Sequence, residues 1–93
     1  MTIFGNQGEY DLAIEAYQKA ISINPEAVVL HHNLGSVYRD QGKYYYKQGK
    51  YGLAVRFLQK AIDIDPKDAE AHQKLGLAYY RQDKYELAVG SPA

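Results

Sequence analysis

Apolar residues recur along this chain at helical spacing. His31, Leu34, Gly35 and Tyr38 fall at i, i+3, i+4 and i+7, one stripe on a helix. Ala13, Tyr17 and Ala20 form a second stripe, and Ala54, Leu58 and Ala61 a third. Small residues alternate with large ones, which lets neighbouring helices approach closely and interlock. Asn24-Pro25-Glu26 and Asp65-Pro66 read as helix starts, a capping Asn or Asp before Pro at the first helical position. Gly8, Gly42 and Gly49 read as C-terminal caps. The pattern predicts helices over 9–23, 26–41 or beyond, 51–64 and 67–82, then a stub at 85–89 stopped by Gly90-Ser91-Pro92. No segment alternates like a strand, so the expected fold class is all-α.

The pattern also repeats. Leu34-Gly35 returns as Leu75-Gly76, Tyr38 as Tyr79, Pro25 as Pro66 and Ala13 as Ala54, each 41 residues on. A shorter unit recurs as FGNQGEY from Phe4, YRDQGKY from Tyr38, YYKQGKY from Tyr45 and YYRQDKY from Tyr79. His31-x-x-Leu34-Gly35-x-x-Tyr38, Ala54-x-x-x-Leu58-x-x-Ala61 and Pro66 resemble the tetratricopeptide repeat, as do His72-x-x-Leu75-Gly76-x-x-Tyr79, Ala88, Ala13, Tyr17, Ala20 and Pro25. His31 and His72 stand where the family usually has Trp. The resemblance implies antiparallel helix pairs, A and B, stacked into an α-solenoid whose A helices line a groove for peptides or proteins. It implies one array over 1–93: a partial first repeat (1–25), a second repeat with an insert near 42–51 (26–66) and a truncated third (67–93).

The insert can be placed. From Phe4 to Ala13 and from Tyr79 to Ala88 is nine residues, but from Tyr38 to Ala54 is 16. The seven extra residues sit in the A–B turn and read as a tandem copy of it, giving QGKYYYKQGKY at 41–51. Seven residues rotate a helix by about 700°, within ~20° of two turns, so one helix can lengthen while its faces stay aligned. If the second copy turns, helix A extends to about residue 48 with Gly42 inside it. If the first turns, helix B starts near residue 43 and holds Gly49 and Gly52, at about twice the propensity cost, which favours the longer helix A. Both turns can instead melt into one long helix that exchanges between chains, or the copy can bulge as a loop. An extended helix would carry Tyr44, Tyr45 and Tyr46 past the hairpin edge, where their rings are expected to contact a second chain.

Composition narrows function. Lys plus Arg and Asp plus Glu both number 11, so the formal charge is zero, against the basic surface that nucleic acid or an anionic membrane requires. Neutrality also removes the repulsion that opposes self-association. The chain has no cysteine and no apolar run near the ~20 residues of a membrane span, and its start lacks the features of a signal peptide. These favour a cytoplasmic setting. No nucleophile sits in an activating motif, no phosphate loop occurs, and the histidines lack chelating spacing, so neither enzyme activity nor any cofactor or metal is expected. His31 and His72 are expected as packed core rings. The carboxylates of DIDPKD at 63–68 lack the Gly and the distal Glu of a calcium loop and are expected to cap and turn.

The face opposite the Leu-Gly-Tyr stripe supplies the candidate groove: Val29, His32, Ser36, Arg39 and Asp40, then Glu70, Gln73, Leu77, Tyr80 and Arg81. Asn33 and Lys74 resemble members of a clamp that some relatives use for a terminal carboxylate. Glu70 stands where that clamp wants a cation, so acidic chaperone tails are not the expected ligand. The expected function is non-enzymatic protein–protein interaction, by self-association through the tyrosine-rich extension and the incomplete terminal repeats. The alternative is a piece of a longer natural or engineered scaffold that holds a peptide in the groove.

Overall fold

Four helices account for nearly all of residues 7–88, the part of the chain that the computed structural model describes: α1 (Gln7–Ile23), α2 (Val28–Lys47), α3 (Tyr51–Ile64) and α4 (Ala69–Ala88). Each packs on the next, and α2 also touches α4. The stretch expected as the last turn of a first A helix, residues 1–4, lies outside the described residues.

The prolines act one turn earlier than expected. Asn24 and Asp65 open tight turns, with Ala27 N–H donating to the Asn24 carbonyl (3.2 Å) and Asp68 N–H to the Asp65 carbonyl (3.1 Å). Pro25 and Pro66 sit inside those turns, where their fixed φ is favourable. The helices therefore begin at Val28 and Ala69 rather than at 26 and 67. Asp68 is the side chain that caps α4, its Oδ1 accepting from Ala71 N–H at 3.1 Å. Ala27, its counterpart before α2, offers no side-chain cap. The expectation of core rings at His31 and His72 is corrected: neither is buried. Nε2 of His31 lies 2.9 Å from the Pro25 carbonyl, and Nε2 of His72 lies 2.9 Å from that of Pro66. Each imidazole ties the preceding turn to its helix.

Of the two QGKY copies, the second is the turn. Gly49 has φ +78°, the left-handed conformation of a helix C-terminal glycine. Its N–H donates to the Tyr46 carbonyl and that of Lys50 to the Tyr45 carbonyl, both at 3.0 Å. This pair of bonds is the Schellman motif. Gly42 is no cap; it lies in mid-helix, buried against α3. A Cβ there would come within 2.6 Å of Leu58 Cγ and 3.2 Å of the Ala54 carbonyl oxygen. What costs helix propensity at Gly42 allows α2 and α3 to close on each other. Gly8 is likewise within a helix, in the first turn of α1.

The long α2 keeps one buried face, Leu34, Gly35, Tyr38, Gln41 and Gly42, as the seven-residue phase requires. One core cluster holds Leu34, Tyr38, Ala61, Ile62 and Ala71; the other holds Ala54, Leu58 and Ala78, and Leu75 packs against both. α4 does not break into a helix and a stub. It runs unbroken to Ala88: Asp83 of YYRQDKY stands where the turn copy YYKQGKY has Gly49, and no Gly or Pro lies between 82 and 88. Two helices of 20 residues result, one repeat apart.

Candidate protein-interaction surfaces

The α2–α4 side is charged and internally paired. Arg39 Nη1 donates to Asp68 Oδ2 at 3.0 Å, and its Nε lies 3.4 Å from Glu70 Oε1 and 3.6 Å from Asp40 Oδ1. Lys43 Nζ donates to Glu70 Oε2 at 2.6 Å. Burial works against the Arg39 charge, but Asp68, Asp40 and Glu70 outweigh it and raise the pKa. The hydrogen bond from Lys43 holds the Glu70 carboxyl below its ordinary value. Arg39, Asp40 and Glu70 of the expected groove set thus meet. Lys43 and Asp68, which complete the cluster, were assigned to turns by the sequence. Lys43 becomes visible once α2 is extended, because it lies four residues after Arg39 on the same face.

The other groove candidates are spread out. Val29 and Gln73 are exposed and Ser36 is half-buried. His32 is exposed, with Nδ1 3.7 Å from Asp65 Oδ2. Leu77 is 37% and Tyr80 58% exposed, and the Lys84 ammonium stands 5.1 Å from the centre of the Tyr80 ring. Arg81 is exposed, and the neighbouring Tyr46, followed by Tyr51, raises its pKa.

The three tyrosines do not project past the hairpin. The turn moved outward with the duplicated segment, so α1 and α3 reach their rings. Tyr44 packs on Tyr10 (ring centres 5.7 Å apart) and on Tyr45 (5.2 Å). Tyr45 stacks on Phe57 at 5.5 Å, and Tyr38 stacks on the same Phe57 at 6.4 Å, both at an interplanar angle of 14°. Tyr46 meets Tyr51 edge-on at 5.4 Å. The Tyr45 hydroxyl donates to Gln7 Oε1, which also accepts from Gln41 Nε2 at 3.4 Å. Burial, followed by the influence of Tyr44 and Asp11, raises the Tyr45 pKa.

Two open faces lie at the ends of the stack. On α4, Leu75-Gly76-x-x-Tyr79-x-x-Gln82 repeats the α2 stripe Leu34-Gly35-x-x-Tyr38-x-x-Gln41 letter for letter. On α2 that stripe is covered by α3; Tyr38 is 9% exposed and Gly35 has Ile64 Cγ2 3.3 Å from where a Cβ would stand. On α4, Tyr79 is 51% exposed and Gly76 has no described atom within 4 Å of that position. At the opposite end, α1 buries none of its residues, and Leu12 and Ile23 are exposed.

The family model for the TPR repeat matches residues 3–42 and again 42–83. The chain belongs to the tetratricopeptide-repeat family. TPR arrays generally serve protein–protein interaction, through surfaces created by stacking their helix pairs. A search of curated proteins returns no match. Among the described residues of this TPR chain, no group of three or more His, Cys, Asp or Glu is placed to hold a metal ion, and no helix is long and apolar enough to cross a membrane.

Proposed function

We propose that this chain is a non-enzymatic protein-interaction module that self-associates by accepting a partner helix on an open end face. The observation that carries this is the α4 stripe, identical in residue type to the buried α2 stripe but lying open at Gly76 and Tyr79. A helix with small residues at the right spacing would bury this stripe as α3 buries its equal on α2. Tyr44, Tyr45 and Tyr46 add little to this reading, since their rings are engaged within the chain. The repeat boundaries follow the same reading: 1–25, 26–66 with its insert, and 67–93. A synthetic peptide with the α3 sequence, residues 51–64, tests the face. It is expected to shift the amide NMR signals of Gly76 and Tyr79 and to leave those of Arg39 unmoved. Absence of any binding at millimolar peptide would remove the proposal.

A second reading, a peptide held between α2 and α4, is favoured by exposed Leu77 and Tyr80 beside the Arg39–Glu70–Lys43 cluster. It would supply apolar anchors next to fixed charges. A ligand on this side would lose affinity on Leu77→Asp and keep it on Gly76→Lys.

A further inference from the structure

We infer that the helix received by the α4 stripe is α1 of a second copy of this chain, docked as α3 docks on α2. This rests on the reading that the stripe is a protein-binding face. α1 and α3 are the same helix one repeat apart: Ala13, Ala20 and Ile23 precede Ala54, Ala61 and Ile64 by 41 residues.

Two contacts within the chain define the docking chemistry. Ile64 seats on Gly35, with its Cγ2 3.3 Å from the position of a Cβ. The Lys60 ammonium stands 5.6 Å from the centre of the Tyr38 ring. Moved by one repeat, Gly35 and Tyr38 become Gly76 and Tyr79 on α4, while Ile64 and Lys60 become Ile23 and Lys19 on α1. All four keep their residue type, and all four lie open: Ile23 is 78% exposed, Tyr79 and Lys19 are exposed, and at Gly76 no described atom of another element lies within 4 Å of where a Cβ would stand. The chain therefore carries both halves of a contact that it already makes internally. The second copy's α1 brings an isoleucine for the glycine notch and a cation for the exposed tyrosine face.

The match ends toward the C-terminus of α4. Gly42 and Leu58 translate into Asp83 and Tyr17. A Cβ at position 42 would come within 2.6 Å of Leu58, and Asp83 carries one. The docked α1 closes over 75–82 and stands off from Asp83, so the contact is small and the association weak. It joins unlike faces, leaving one free at each end, so growth is head-to-tail and open.

Sedimentation equilibrium on the full chain, from micromolar to millimolar, tests this. The average mass is expected to rise with concentration. Gly76→Lys and Ile23→Lys, at open positions that folding does not use, are each expected to stay monomeric, with unchanged helical circular dichroism. Mixed in equal amounts they are expected to form a 1:1 complex and nothing larger, because each variant retains the face that the other has lost. Lys19→Ala is expected to weaken association about two- to five-fold. A wild-type monomer at all concentrations, an associating Gly76→Lys, or a mixture that stays monomeric overturns the inference. If the copies stay apart while the 51–64 peptide still binds the stripe, the protein-binding face stands and the second copy as its occupant falls.

Discussion

Gly42 and Leu58 are packed so closely that the space for a Cβ on one is already filled by Cγ of the other, 2.6 Å away. Leu58 is fully buried and has little room to yield. This contact makes a residue that resembles a helix stop into the point where α2 and α3 meet.

Gly42→Ala is therefore expected to destabilise the fold. Overpacking costs about 1–3 kcal/mol, offset by up to about 1 kcal/mol of helix propensity. Gly76→Ala, in open space on α4, is expected to gain about 0.5–1 kcal/mol from the same propensity term. Urea unfolding of the two variants measures the opposite signs.

Excision of residues 42–48 leaves a single QGKY and removes two helical turns in phase. The shortened chain is expected to fold with a loss of about 1–3 kcal/mol, the range of an ordinary core substitution. Deletion of Tyr45 alone turns the end of α2 by about 100° against α3. It is expected to do more damage, visible as a broader and lower thermal transition.

The sequence made much of this architecture legible. The 41-residue spacing of Leu-Gly, Tyr and Pro is local information, as is the helical stripe around Leu34, and both carried over. The choice between the two QGKY copies was local only in part: one glycine inside a longer α2 costs less helix propensity than two inside a longer α3, which favours the second copy as the turn. Gly42 and Gly49 sit in identical tetrapeptides, and what separates them is Leu58, reached only after α3 has folded back. The unbroken α4 rests on Asp83, which stands where the turn copy has Gly49. The Arg39 cluster stayed hidden because Lys43 and Asp68 read as turn residues until the helix ends were known. His31 and His72 occupy a position that usually packs a large ring, and here they bind the Pro25 and Pro66 carbonyls.

Phe57 is gripped on both sides, by Tyr38 and by Tyr45. Phe57→Ala is expected to cost about 3 kcal/mol, the low end for such truncations because the ring is half-buried. Tyr45→Phe keeps the stack and removes only the hydroxyl bond to Gln7, with an expected cost of about 1 kcal/mol. Thermal unfolding of the two variants separates ring from hydroxyl.

Glu70 gives the fold an acid dependence. Its pKa is lowered in the folded state, chiefly by the hydrogen bond from Lys43. Its contribution is complete above the ordinary glutamate value and is lost as pH falls through the folded value. Glu70 is partly exposed, so solvent screening keeps this below about 1 kcal/mol. Wild type is expected to exceed Glu70→Gln in stability at pH 7, and the gap is expected to close at pH 3. Lys43→Met is expected to remove most of the gap at neutral pH.

The most direct test of the open α4 stripe as the binding face is a series of amide NMR spectra of the full chain at rising concentration. The signals of Gly76, Tyr79, Lys19 and Ile23 are expected to move together along one binding curve, while those of Gly35 and Tyr38, already covered by α3, hold still. Spectra that do not change with concentration, or changes confined to Arg39, Leu77 and Tyr80, would contradict it.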